Sequence, residues 1–344
     1  MLLTIVSAVF VFGLLVLVHE WGHFITAKMT NMRVDEFAIG FGPKLLSWQK
    51  GETLYALRAI PLGGFNRIAG MDFDEDEESD AGDRAYFKRP VWARMIVILA
   101  GSFMNFVLPV ILFFLIFFFS GIQTPNPEPI IGDVLAGRPA ASAGLRPGDR
   151  ILTINGQEVN EWKNISESFQ NSAGKPFEIT YLRDGETLTG TVIPEEDPAT
   201  KRVLIGIQGT LITQDVSLGE AASLSIEKTS NIFKAMLDAL AMLVTKEGAS
   251  AELSGPIGVA QMAGEVAQHG FIPLLNFAAF LSLNLGIVNL LPIPALDGGH
   301  FVTLVIEAVR GKQMSKKAMY YIQAVGVVIL ISLMIFATFN DVTR

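Results

Sequence analysis

The chain has 344 residues, half of them AVILMFWYC and only 17% charged, where a soluble domain carries about 25%. Mean hydropathy is +0.42, so the composition points to a membrane protein and excludes disorder. The absence of cysteine excludes a disulfide framework, a thiolate metal site, an iron–sulfur cluster and a thiol nucleophile. A net charge of −8 without a long basic run argues against a nucleic-acid partner.

Four apolar runs are each close to the ~20 residues that cross a bilayer: residues 2–27, 91–119, 272–295 and 318–339. The fold class expected is a polytopic α-helical membrane protein. A cleaved signal peptide competes for the first run. However, no basic residue precedes it, and His19-Glu20-Trp21-Gly22-His23 stands where a small-residue cleavage site belongs. Lys28, Arg33, Lys88, Arg89 and Arg94 surround the first loop, and Arg310, Lys312, Lys316 and Lys317 the last. Positive residues in short loops stay cytoplasmic, so both termini and residues 120–271 are expected outside the cytoplasm. The acidic run 72–83 reads as a solvated stretch of the first loop.

The expected organisation in chain order is as follows. Residues 1–29 form the first span. Residues 30–90 follow as a cytoplasmic-side β-hairpin region and acidic loop, with strands at 34–39, 45–49 and 53–60. Residues 91–120 form the second span. A β-rich insert occupies 128–210, with hairpin turns at Asn155-Gly156 and Asp184-Gly185 and a helix over 162–172. Residues 216–270 are helical to about 246 and then a loop through 253–258. The third transmembrane segment lies within 271–300 and the fourth within 318–340.

His19, Glu20 and His23 form the pattern H-E-x-x-H. At i and i+4 on a helix, both imidazoles share a face and can reach one metal, while Glu20 stands where a general base meets the hydrolytic water. Two imidazoles and a carboxylate suit zinc when thiols are absent. Ionisable groups at membrane depth are costly and mark function. A third ligand is expected where Pro292 and Pro294 must break the third helix. Asp297 is the preferred candidate and His300 the rival, while His269 reads as a surface histidine. Asn105 and Asn284 are either interhelical hydrogen-bond partners or polar points that admit water.

Three features occur together here. They are the H-E-x-x-H helix, the Asn289-Leu290-Leu291-Pro292-Ile293-Pro294-Ala295-Leu296-Asp297-Gly298 segment, and an insert whose Ala143-Gly144-Leu145-Arg146-Pro147-Gly148-Asp149 run is similar to circularly permuted PDZ domains. With them the whole chain resembles the site-2 protease family of intramembrane zinc metalloproteases. The resemblance implies an endopeptidase of the bacterial inner membrane with Zn2+ held by His19, His23 and Asp297, and Glu20 as the base. Asn289, Pro292 and Pro294 would position substrate. Implied partners are single-span membrane proteins such as anti-sigma factors and signal-peptide remnants, a peptide ligand for the PDZ domain, and the lipid bilayer. Residues 33–67 are similar to a β-structure that dips into the membrane beside the active site and accepts an unwound substrate as an added strand. One departure is that some members of the family carry two tandem PDZ domains, and this chain has room for one. Two competing classes remain at this level. One is a non-catalytic PDZ-containing membrane scaffold. The other is a transporter with a midplane metal site, which would require inverted repeats.

Overall fold

The computed structural model describes residues 1–71, 81–169, 172–197, 201–245 and 255–343. Most of the acidic run, and the start of the loop expected over 253–258, lie outside these residues. The described residues divide into two compact units, one of Met1–Ile116 with Leu218–Arg344 and one of Phe117–Ser217.

Four helices of the first unit are long and apolar enough to span a bilayer: α1 (Leu2–Met29), α2 (Val91–Ser120), α5 (Phe271–Leu290) and α7 (Lys316–Thr343). The chain is a multi-pass helical membrane protein, as the composition implies. Between α2 and α5 come α3 (Leu218–Thr245) and α4 (Pro256–Gln268), and α6 (Asp297–Arg310) lies between α5 and α7. The expected loop over 253–258 is corrected here, because Pro256 begins α4. A proline at the first helical position loses only an N–H that has no helical partner. The N-terminus of α4 is held by Asp341 of α7, whose two carboxylate oxygens accept from Gly255 N (2.8 Å) and Gly258 N (2.9 Å).

Strands β1 (Val34–Lys50) and β2 (Thr53–Ile68) are longer than the hairpin expected from sequence. Each bends once, β1 near Gly40 and Gly42 and β2 near Gly63, all at positive φ. Each strand therefore pairs twice. Residues 44–50 run antiparallel to 53–58, and 34–39 antiparallel to 64–68, while 36–39 also lie beside 54–57 with Cα partners advancing together. The result is a four-segment layer with 64–68 on one edge and 44–50 on the other. Periodicity alone showed the alternating runs but not the bends that fold each strand onto the other.

This layer docks on one ridge of α1, with residues spaced by four. Gly64 sits against Val16 and Glu20. The Asn66 amide donates to Glu20. Phe24 meets Phe37 and Tyr55 edge-on, at 5.2 and 5.8 Å between ring centroids. Lys28 pairs with Glu52 at 2.6 Å. Below it, Met32, Val34, Ile68, Tyr86, Val97 and Leu304 form a buried cluster.

The second unit carries a four-stranded sheet ordered 157–158, 150–154, 177–183, 186–192 over a core that includes Ile131, Ile151, Ile154, Phe177, Ile179 and Val192. Asn155-Gly156 and Asp184-Gly185 both lie at positive φ and close the two hairpins as expected. The helix expected over 162–172 is shorter, Trp162–Ser168. Asp149 of the Gly-Asp run is buried and ion-paired with Arg183 at 2.7 Å. This is the small α+β insert that the short β-rich runs and turn dipeptides indicated.

Candidate metal centre

His19 and His23 project from successive turns of α1 with their Nε2 atoms 3.2 Å apart. The proline-rich break after α5 delivers Asp297 as the first residue of α6. Its Oδ2 lies 3.6 Å from His19 Nε2 and its Oδ1 3.6 Å from His23 Nε2. Among the described residues these three form the cluster able to hold a metal, with donor atoms within 4.8 Å of one another. Bonds of about 2.0–2.2 Å at tetrahedral angles require donor–donor edges of about 3.3–3.6 Å. The two Nε2 atoms stand close to such an edge apart, each lies 3.6 Å from a different oxygen of Asp297, and the donor types are those zinc accepts.

The groups behind the donors explain why they converge. His23 Nδ1 lies 2.7 Å from the Val97 carbonyl oxygen. A carbonyl only accepts, so Nδ1 carries the proton and Nε2 keeps its lone pair for a metal. His19 Nδ1 lies 3.1 Å from the Asn105 amide nitrogen, and Asn105 Oδ1 is buried without a partner. A half-turn of that amide satisfies the oxygen from Nδ1–H and frees His19 Nε2 in the same way. Ser102 donates to Asp297 Oδ2 at 2.8 Å. Gly101 lets α2 lie against both imidazoles, since a Cβ there would overlap His23 Nε2 and His19 Cε1. Gly298 does the same at the proline break, where a Cβ would overlap the carbonyls of Leu290 and Leu291.

Glu20 stands beside this triad and lines a cavity of about 350 Å3 with His23, Asn66, Ala295, Asp297 and His300. Asn66 Nδ2 donates to both Glu20 Oε2 and the Glu20 carbonyl, each at 2.7 Å. His300 also borders this cavity, but its Nε2 faces Gln323 Nε2 at 3.3 Å and it is not one of the three donors. His269 is exposed at the end of α4. Asn289 is half-buried in the last turn of α5, Pro292 is exposed, and Pro294 is half-buried, its carbonyl packed on Gly326 of α7. None of these three is among the cavity's lining residues, to which the proline segment contributes Ala295 at positive φ.

Sequence reasoning missed Asn66, Gly101 and Ser102, and left Asn105 open. None belongs to a motif, and each acts through a neighbour 40 to 200 positions away. A weak signal for Gly101, Ser102 and Asn105 was their grouping within about one turn of an otherwise apolar span.

Four spans around a preformed three-donor cradle, with an acid on the same helix as two of the donors, define a polytopic membrane metallopeptidase. A family model described as Peptidase family M50 matches residues 7–333; the chain belongs to that family, and is a metalloprotease of the site-2 protease type. It is 32% identical over 417 aligned residues to the regulator of sigma-W protease RasP of Bacillus subtilis, covering 99% of this chain and 98% of that one. It is also 32% identical to the zinc metalloprotease RasP of Bacillus licheniformis, covering 99% of each. A solved PDZ domain, from the SdrC-like protein of Listeria monocytogenes, aligns with 26% of this chain and 94% of its own at 20% identity and a TM-score of 0.23.

Proposed function

We propose that this protein is a zinc endopeptidase that cuts single-span membrane proteins within, or at the cytoplasmic border of, the bilayer. The observation that carries this reading is the clustering of His19 Nε2, His23 Nε2 and the Asp297 carboxylate, with each imidazole 3.6 Å from one carboxylate oxygen. These three residues would hold Zn2+, which when bound supplies a Lewis acid for the scissile carbonyl and lowers the pKa of water. Glu20 is the general base. Its carboxylate takes the proton of the attacking water and returns it to the leaving amine.

A transmembrane helix hides its peptide bonds in i→i−4 hydrogen bonds, so it must unwind before cleavage. The 64–68 edge of the hairpin layer runs past Glu20 and would hold the unwound segment as an added strand. Asn289, at the end of α5, and Pro292 and Pro294, in the break before α6, would position substrate beside the metal. The arrangement of Lys and Arg in the loops supports an inner-membrane protein with the catalytic centre toward the cytoplasm and both termini outside. The PDZ-like insert would then face the exterior and bind a peptide from substrates already trimmed there. Single cysteines introduced into this cysteine-free chain and labelled from outside the cell test that sidedness. The name of the Bacillus subtilis relative supports membrane-bound anti-sigma factors as substrates, and signal-peptide remnants have the same single-span chemistry.

The deciding experiment compares wild type with Glu20→Gln and His23→Ala on a model single-span substrate, with metal analysis of each purified protein. Glu20→Gln is expected to fold, retain zinc and lose cleavage, and His23→Ala to lose both zinc and cleavage. Wild-type cleavage by Glu20→Gln would leave a non-catalytic PDZ-containing scaffold, with the hydrolysis due to another enzyme, as the better reading.

A further inference from the structure

Resting on Glu20 as the base, the geometry points to Asn66 as a positioning residue that ties this base to the hairpin edge. One amide group makes two hydrogen bonds to one residue, to Glu20 Oε2 and to the Glu20 carbonyl, both at 2.7 Å. With Oε2 engaged, the carboxylate cannot rotate freely, and Oε1 is the oxygen left to receive a proton. A base held this way stays within reach of the reacting water instead of turning toward bulk solvent in the cavity it lines. Misplacing a catalytic group by ~1 Å costs on the order of 100-fold in rate.

The position of Asn66 in the fold gives this bond a second consequence. Asn66 lies on the outer segment of the layer, paired with Phe37 on its inner side. The same ridge of α1 that carries Glu20 also carries Phe24 and Lys28, which hold Phe37, Tyr55 and Glu52. The hairpin and the base are therefore docked as one piece. A substrate strand added to the 64–68 edge would be registered against Glu20 through Asn66 rather than through the far end of the hairpin. Asn66 Oδ1 is buried with no partner at the junction of the Glu20 cavity and a second cavity of about 220 Å3 lined by Arg94, His300 and Gln323.

The test uses purified full-length protein and a single-span model substrate, measuring kcat and KM separately together with zinc content and thermal unfolding. Asn66→Leu keeps the branched four-heavy-atom outline, though with more bulk, and removes the amide donor. It is expected to lower kcat about 10- to 100-fold, with KM and zinc content within about twofold and unfolding unchanged. Asn66→Asp, which sets a carboxylate against Glu20, is expected to lose at least as much. Asn66→Gln, which keeps an amide donor on a longer arm, is expected to recover part of the loss. Wild-type kcat in Asn66→Leu, or a loss that merely follows zinc content or unfolding in all three variants, would overturn the positioning role. Glu20→Gln in the same series separates the two levels. If it is inactive while Asn66→Leu is normal, this inference alone fails. If Glu20→Gln is active, the underlying reading fails.

Discussion

Gly101 decides more about the centre than its lack of a side chain suggests. It lies where α2 crosses the two imidazoles, and a methyl group there meets ring atoms rather than open space. Gly101→Ala is expected to push His19 and His23 off their shared face, with zinc content and cleavage falling together. Gly13→Ala on α1, where a Cβ meets nothing within 4 Å, is the matched control and should leave both unchanged. Zinc per polypeptide in the two purified variants checks this directly. The second residue-scale lesson concerns tautomers. Because Val97 O accepts from His23 Nδ1, the ring is set for ligation before any ion arrives, and outer partners of this kind are worth about 10- to 100-fold in metal affinity.

At the scale of elements, two charged contacts fasten the scaffold around the centre. Arg94 of α2 and Glu307 of α6 form a buried bidentate pair, with Arg94 Nη1 3.0 Å from Glu307 Oε2 and the second contact between Nη2 and Oε1. Arg94 is 2% exposed. Its sequence position suggested only a loop charge that sets orientation. Removing one partner strands the other in an apolar interior, at a cost of about 3–5 kcal/mol. Arg94→Met or Glu307→Leu alone should therefore lower the unfolding temperature sharply, whereas the double replacement should recover most of it. A thermal double-mutant cycle reads that coupling.

The hairpin contact behaves differently because it is partly exposed. Hydrogen bonds from Arg84, then Lys28, hold the Glu52 carboxyl down at about 2, below an unfolded value of about 4.3. Its folded value is depressed, so the clamp contributes fully above the unfolded value and is lost as pH falls through the folded one. Hydrogen exchange over residues 44–60 should be flat from about pH 7 to 5, after correction for intrinsic rates. Protection should then fall below about pH 4. Glu52→Gln should lose protection already at neutral pH.

Across the whole molecule, the donors of the centre come from α1 and α6, their partners from α2 and the acid's partner from β2. Most of this framework is held by contacts that need no metal. Chelation is therefore expected to abolish cleavage while leaving helix content and unfolding temperature nearly unchanged, and added zinc should restore activity without refolding. Circular dichroism and cleavage on the same sample before and after reconstitution check this. A large loss of helix on chelation would mean that the ion, not the helix packing, organises the site.

The linear order of residues was enough to determine the four spans, because apolar length is a local property that the bilayer selects. It determined the two tight hairpins of the insert, because Asn155-Gly156 and Asp184-Gly185 suit left-handed backbone. It also determined the pairing of two histidines and an acid on one helical stretch, because i and i+4 share a face. Tertiary structure alone decided that the hairpin strands bend and pair twice, that Pro256 starts a helix, and that Asp297 rather than His300 meets the imidazoles. It alone supplied Asn66, Gly101, Ser102 and Asn105 as the groups that aim them. Those outcomes depend on which surfaces meet after the chain has folded, and contacts between residues scores to hundreds of positions apart leave no periodic trace in the order of the chain.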